Sequence, residues 1–108
     1  MENLKMELYK LLFSPIVTPN NLLDNIDLTN YEYVNYYKTN NCISCKLMCK
    51  LENGADAMFT YHFDREKRLD TIYRQLKDKE EELVFSRKIA LSDAISFLEN
   101  LSSQPLAI

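Results

Sequence analysis

The residues best equipped for chemistry are three cysteines crowded into eight positions, Cys42-x-x-Cys45-x-x-x-Cys49, and the lone histidine, His62. Together they could be drawn as a Cys₃His zinc site, which needs thiolates converging on one tetrahedron, usually from a turn of small residues. The residues around them alternate like a strand instead. That sends Cys45 and Cys49 to one face and Cys42 to the other, with His62 also opposite Cys45 and Cys49. Buried cysteines acting as small hydrophobes are the better account. Redox chemistry of a Cys-x-x-Cys pair uses a helix N-terminus to lower the thiol pKa, and nothing helical begins at Cys42. As a general acid or base, His62 would need an orienting partner and a reacting group within hydrogen-bond reach. No Ser/His/Asp or Cys/His order recommends itself, and no two acids stand out as a catalytic pair. With Gly54 as its single glycine, the chain can write neither a dinucleotide fingerprint nor a P-loop. No catalytic residue, metal ligand or cofactor is expected, and the chain reads as a binding protein rather than an enzyme.

Aromatic residues are the more unusual feature. Tyr31, Tyr33, Tyr36 and Tyr37 place four tyrosines in seven residues, among seven asparagines between Asn20 and Asn41. Tyrosine brings large contact area at low rotamer entropy, with a hydroxyl to orient, so it concentrates at interface hot spots. The candidate contact set is these four tyrosines with Glu32 and the acidic knot Glu80, Glu81 and Glu82. Two plainer readings stand beside it. Tyr31, Tyr33 and Tyr37 could pack under the N-terminal helix with Tyr36 merely exposed, although Tyr36 and Tyr37 must diverge on a strand. The knot could be a solvated turn, since the run from Asp64 to Glu82 holds seven acids and six bases.

The elements that must position these residues follow from periodicity. Leu4, Leu8, Leu11 and Leu12, with Tyr9 beside them, mark an amphipathic helix over residues 2–13, ended by Pro15. Thr18 can cap a short second helix with Pro19 at its first position, carrying Leu22, Leu23 and Ile26 inward, although a loop pinned by those residues fits residues 15–30 as well. Strand formers begin at Tyr31. Cys42 to Leu51 alternates cleanly, Asn53-Gly54 signals a hairpin, and a strand returns through Ala57, Phe59, Tyr61 and Phe63. Residues 64–82 fit a helix or a reversal into a strand from Arg68 to Leu76 with one bulge, and strand chemistry is favoured. Ser92 should cap a C-terminal helix with Asp93 in its first turn, stopped by the tail around Pro105. The expected architecture is α+β. It is an antiparallel meander of three to five strands with the N- and C-terminal helices packed on the face lined by Leu47, Phe59 and Tyr61.

At 108 residues the chain has room for a single domain over residues 1–108. Its net charge of −3 argues against direct nucleic-acid binding. No 18-residue apolar run predicts a membrane span, the acids in Met1–Glu7 do not suit a signal peptide, and three closely spaced cysteines suit reduced thiols, so a cytoplasmic location is expected. In size, acidity and composition the whole chain resembles the small bacterial immunity proteins that neutralise polymorphic or contact-dependent inhibition toxins. No motif carries the resemblance, and no functional residue transfers with it. It implies one-to-one binding to a basic toxin nuclease domain and occlusion of its active site, with acidic groups standing in for phosphates. No small-molecule ligand is expected. Two other classes remain: a secretion-type chaperone, which requires a helix over residues 65–80, and a metal-binding regulator built on the cysteines and His62.

Overall fold

Strict alternation through Cys42–Phe63 builds the centre of the molecule, and the rest of the chain covers one side of it. The computed structural model describes residues 2–103. Helix α1 (Glu2–Phe13) precedes a short α2 (Pro19–Asp24), which runs into a 3₁₀ turn at Asn25–Asp27. Five strands follow, β1 (Tyr31–Thr39), β2 (Cys42–Lys50), β3 (Asp56–Phe63), β4 (Leu69–Leu76) and β5 (Glu82–Ser86), and α3 (Arg87–Ser103) closes the described chain. Every strand pairs antiparallel with its sequence neighbour in the order β1-β2-β3-β4-β5. The fold is α+β. Residues 64–82 therefore hold a strand rather than a helix. The expected bulge falls between His62 and Phe63 in the β3–β4 ladder, and a second lies between Ile72 and Tyr73 in β4–β5.

The turns explain the register. Asn40 and Asn41 both take left-handed backbone, φ 51° and 65°, as a two-residue turn of the primed type demands, and asparagine tolerates that region. This is the tightest hairpin among the described residues, and the hairpin signalled by Asn53-Gly54 also forms, with a longer connection. There the connection is five residues long, Leu51–Ala55. It is closed by Leu51 N–H to Ala55 O (2.8 Å) and Gly54 N–H to Leu51 O (2.9 Å). Gly54 sits at φ +83° with open space where a Cβ would project, so conformation rather than crowding calls for glycine. Asp64 makes the β3–β4 reversal by accepting the backbone N–H groups of Glu66 and Arg68 through Oδ1, each at 2.9 Å.

The core lies on one face of the sheet. Cys45, Leu47 and Cys49 of β2, Phe63 of β3 and Leu69 of β4 are buried with Leu22 of α2, and Val17, Val34, Phe59, Tyr61, Ile72 and Phe85 pack around them. Burying a leucine side chain contributes roughly 1.5–3 kcal/mol, which favours the chain reversal that brings α2 over β2. Thr18 caps α2 as expected. Its hydroxyl accepts Asn21 N–H while Asn21 Oδ1 accepts Thr18 N–H, a reciprocal box. Only Leu22 of the three expected apolar residues turns inward; Leu23 and Ile26 are exposed, because six residues of helix offer one narrow inward stripe. The cover over Leu47 thus comes from α2 and Val17. Among the described residues the central cluster takes no side chain from α1 or α3. Those two helices pack on each other, and α3 also packs against β4 and β5.

Helix α3 begins six residues earlier than a cap at Ser92 predicts. Ser86 ends β5 and its Oγ accepts Ile89 N–H at 3.2 Å, so strand and helix share one capping residue, and Ser92 lies exposed inside the helix. The expected stop at Pro105 lies outside the described residues. At the junction of α1, α3 and β4, the Pro15 carbonyl accepts Val17 N–H (2.7 Å), Leu69 N–H (3.0 Å) and Arg87 Nη2 (3.2 Å). Between Pro15 and Val17, Ile16 sits at φ 67°, a strained position for a β-branched residue that this convergence of bonds holds in place.

Candidate interaction surface

The strand period splits the tyrosine cluster. A bulge between Tyr31 and Tyr33 shifts the phase of β1, so Tyr31 stands opposite Cys49 and Tyr36 opposite Cys45 on the core face, whereas Tyr33 stands opposite Met48 and Tyr37 opposite Ser44 on the other. Tyr36 and Tyr37 diverge, as strand geometry requires. The arrangement with Tyr33 and Tyr37 beneath the N-terminal helix does not occur, because the turn at Asn40–Asn41 sets Tyr37 opposite Ser44 and alternation then puts Tyr33 on the same face, while the bulge returns Tyr31 alone to the core. Tyr31 packs against the cluster. Tyr36 keeps 40% exposure while its hydroxyl donates to Pro19 O at 2.6 Å. Its phenol is pushed up by burial first, then by the charges of Cys45 and Asp24.

The acidic knot lies elsewhere. Glu82 begins β5 and its carboxylate is bonded by the Arg74 guanidinium across the β4–β5 ladder, while Glu80 and Glu81 are exposed in the turn before it. Strands β1 and β5 are the two edges of the sheet, so about 19 Å of sheet separates the knot from the tyrosines at roughly 4.8 Å per strand. Tyr33, Tyr37 and Glu32 therefore share one edge, and Glu80–Glu82 the other. The acids that accompany the tyrosines are Asp24 and Asp27, because the 3₁₀ turn packs against β1. Sequence reasoning missed them, although a signal was present. No lysine or arginine occurs between Lys10 and Lys38, while Asp24, Asp27 and Glu32 do, so this stretch alone carries charge −3.

The face of the sheet opposite the core carries Tyr33 and Tyr37 of β1, Met48 of β2, Met58 and His62 of β3 and Tyr73 of β4. It has a shallow depression at each end, one lined by Met48, Met58 and Gln75 and the other by Thr39, Ser44, His62 and Tyr73, and only strand and turn residues line them. Aromatic residues and methionine are the types enriched in protein contact surfaces. In the second depression, Ser44 Oγ lies 2.8 Å from His62 Nδ1 and 3.1 Å from Thr39 Oγ1, and the His62 ring meets Tyr73 edge-on with centroids 5.9 Å apart. Ser44 is only 1% exposed, so its hydroxyl satisfies a buried network and presents no nucleophile to a substrate. This Ser–His pair also escaped sequence reasoning, although the β2–β3 register, which sets Ser44 opposite His62, would have revealed it.

The cysteines separate as their alternation predicts. Cys45 and Cys49 are buried on the core face and Cys42 is half-buried on the other. Burial pushes the Cys45 thiol up to about 11 and raises Cys49 too, the reverse of what a reactive thiolate needs. Among the described residues, no three His, Cys, Asp or Glu side chains gather as a metal site would require. No described helix is long and apolar enough to cross a membrane. Comparison of the chain with family models, with curated proteins and with solved structures finds no match.

Proposed function

We propose that this is a small cytosolic binding protein that neutralises a basic protein partner, a toxin domain of the nuclease class, by covering its active site. One observation carries the reading. A five-stranded sheet buries one face under its own chain and leaves the other with Tyr33, Tyr37, Met48, Met58 and Tyr73. Among the described residues no helix covers this face, and its aromatic and methionine side chains, interleaved with Asn35, Lys46, Thr60 and Gln75, favour a macromolecular contact. Glu32 stands at the β1 edge of this face, with Asp24 and Asp27 on the helix-covered side of that edge, and these carboxylates offer a nuclease the charge pattern of phosphates. Complementary charge speeds encounter with a basic surface more than it adds affinity. The secretion-chaperone alternative loses its condition, because residues 69–76 form β4. A metal-binding regulator draws no support from cysteines divided between two faces.

The test is affinity capture from the native host, followed by titration and activity assays with purified components. The expected result is a basic protein bound one-to-one whose enzymatic activity is abolished. Replacing Tyr33 and Tyr37 together by alanine should weaken binding by about tenfold or more, as expected for hot-spot residues. Replacing Glu80 and Glu81 by alanine should leave affinity within about twofold, since they lie at the far edge. A captured partner whose activity is unchanged by binding would remove the proposal.

A further inference from the structure

Strand β1 is an open edge. It runs nine residues without proline, β2 pairs one side of it, and among the described residues no hydrogen bond reaches its outer backbone groups between Glu32 and Thr39. Such an edge is a template for a further strand unless it is short, covered or heavily charged. Beside it runs an apolar groove of about 430 Å³, lined by Pro19, Leu23, Tyr36, Tyr37 and Ile43 with the stem of Lys38.

We propose that the occupant of this edge is a second copy of the chain, joined β1 to β1 in an antiparallel register centred on Asn35. The sequence of the strand is self-complementary about that residue. Directly opposed residues of an antiparallel pair share a face, so a two-fold axis that joins core face to core face must pass through a residue, not between two. With Asn35 on the axis, Tyr33 meets Tyr37 of the second copy on the uncovered face and Val34 meets Tyr36 of the second copy on the core face. Glu32 meets Lys38 of the second copy, twice by symmetry. Centring on Val34 or Tyr36 instead leaves both charges without an opposite partner and sets Glu32 against Tyr36 or Lys38 against Val34. Lys38 also ends the base-free stretch, so this register brings the cation of each copy toward the acidic half of β1 in the other. The contact is isologous and closed, as expected of a two-fold dimer. It covers the exposed Leu23 and Tyr36 and makes one ten-stranded sheet. It leaves Tyr33 and Tyr37 of both copies facing out, so it stands whether or not the partner proposed above is correct.

Sedimentation equilibrium of the full chain should show a concentration-dependent dimer. Glu32→Lys and Lys38→Glu singly should each weaken dimerisation by about tenfold, because two attractive pairs become repulsive, and the double reversal should restore it. Under oxidation Asn35→Cys should form an intermolecular disulfide, whereas Tyr37→Cys, which faces Tyr33, should not cross-link to itself. Circular dichroism of each variant separates loss of pairing from loss of fold. A monomer at every concentration up to the millimolar range overturns the proposal. So does a dimer indifferent to both reversals, or one lost on Tyr9→Ser/Phe13→Ser, which would move the contact to α1.

Discussion

Arg87 is a buried cation held by carbonyl oxygens. Its Nε donates to Leu69 O and its Nη1 to Leu11 O, both at 2.7 Å, and longer bonds reach Lys10 O and Pro15 O. The last carbonyls of α1 have no partner within the helix, and a guanidinium at that end satisfies them and meets the negative end of the helix dipole. Burial, with Arg68 nearby, pushes its pKa down, yet a guanidinium keeps its proton at any ordinary pH. Arg87→Met should strand the Leu11 and Leu69 carbonyls at a cost of about 3 kcal/mol. Arg87→Lys should recover only part, since an ammonium cannot span the forked arrangement. The midpoint of urea unfolding measures both, and a wild-type midpoint for Arg87→Met would refute the role. Cys45 makes a second residue-level prediction. Its thiol stays protonated in the fold up to about 11 but ionises near 9 when unfolded, so the unfolded chain loses its proton first. The contribution is therefore intact below pH 9 and is lost as pH rises toward 11, by about 3 kcal/mol in all. Cys45→Ala should be less stable at neutral pH, from the cavity, but should show a shallower alkaline decline in stability between those two values.

Among elements, the hairpins divide by how their turns are encoded. The β1–β2 turn holds two asparagines in left-handed backbone, where glycine at the second position fits best. Asn41→Gly should raise stability by about 0.5 kcal/mol and Asn41→Val should lower it by about 1–2 kcal/mol, both read from unfolding midpoints. The reverse order would mean that the register of β1 does not depend on that turn. Much of the element plan was legible in the sequence: α1, the capped α2, the alternation of β2 and β3, and the strand after Asp64. Each rests on a local signal of cap, proline or period. The start of α3 was not legible. Ser92 is as good a capping residue as Ser86, and the choice between them is made by β5 pairing with β4, which fixes where the strand ends and the helix starts. The phase of β1 was equally hidden, because a bulge at Tyr31–Tyr33 depends on how β1 is hydrogen-bonded to β2 rather than on its own composition.

At the scale of the whole molecule the shape is elongated, 58 × 33 × 24 Å with a radius of gyration of 17.2 Å, where a compact chain of this length would measure about 13 Å. The sheet is built on its own core, and the α1–α3 pair adds length more than cover. Hence Met6, Tyr9 and Phe13 form an exposed stripe along α1, roughly opposite the buried Leu11. The α+β class, the two faces of β2 and β3 and the division of the cysteines between them can be read along the chain, because each depends on residues near one another, and the acidic balance is a plain sum of residues. Which acids keep company with the tyrosines, and that Ser44 meets His62, follow from folding alone. Folding also decided that β1 is a free edge and that the knot at Glu80–Glu82 lies across the sheet from it. Those are distances between segments, set by strand order and bulges. A composition that looks like one contact surface in the chain can be dealt onto two faces and two edges by a period of two and a single extra residue.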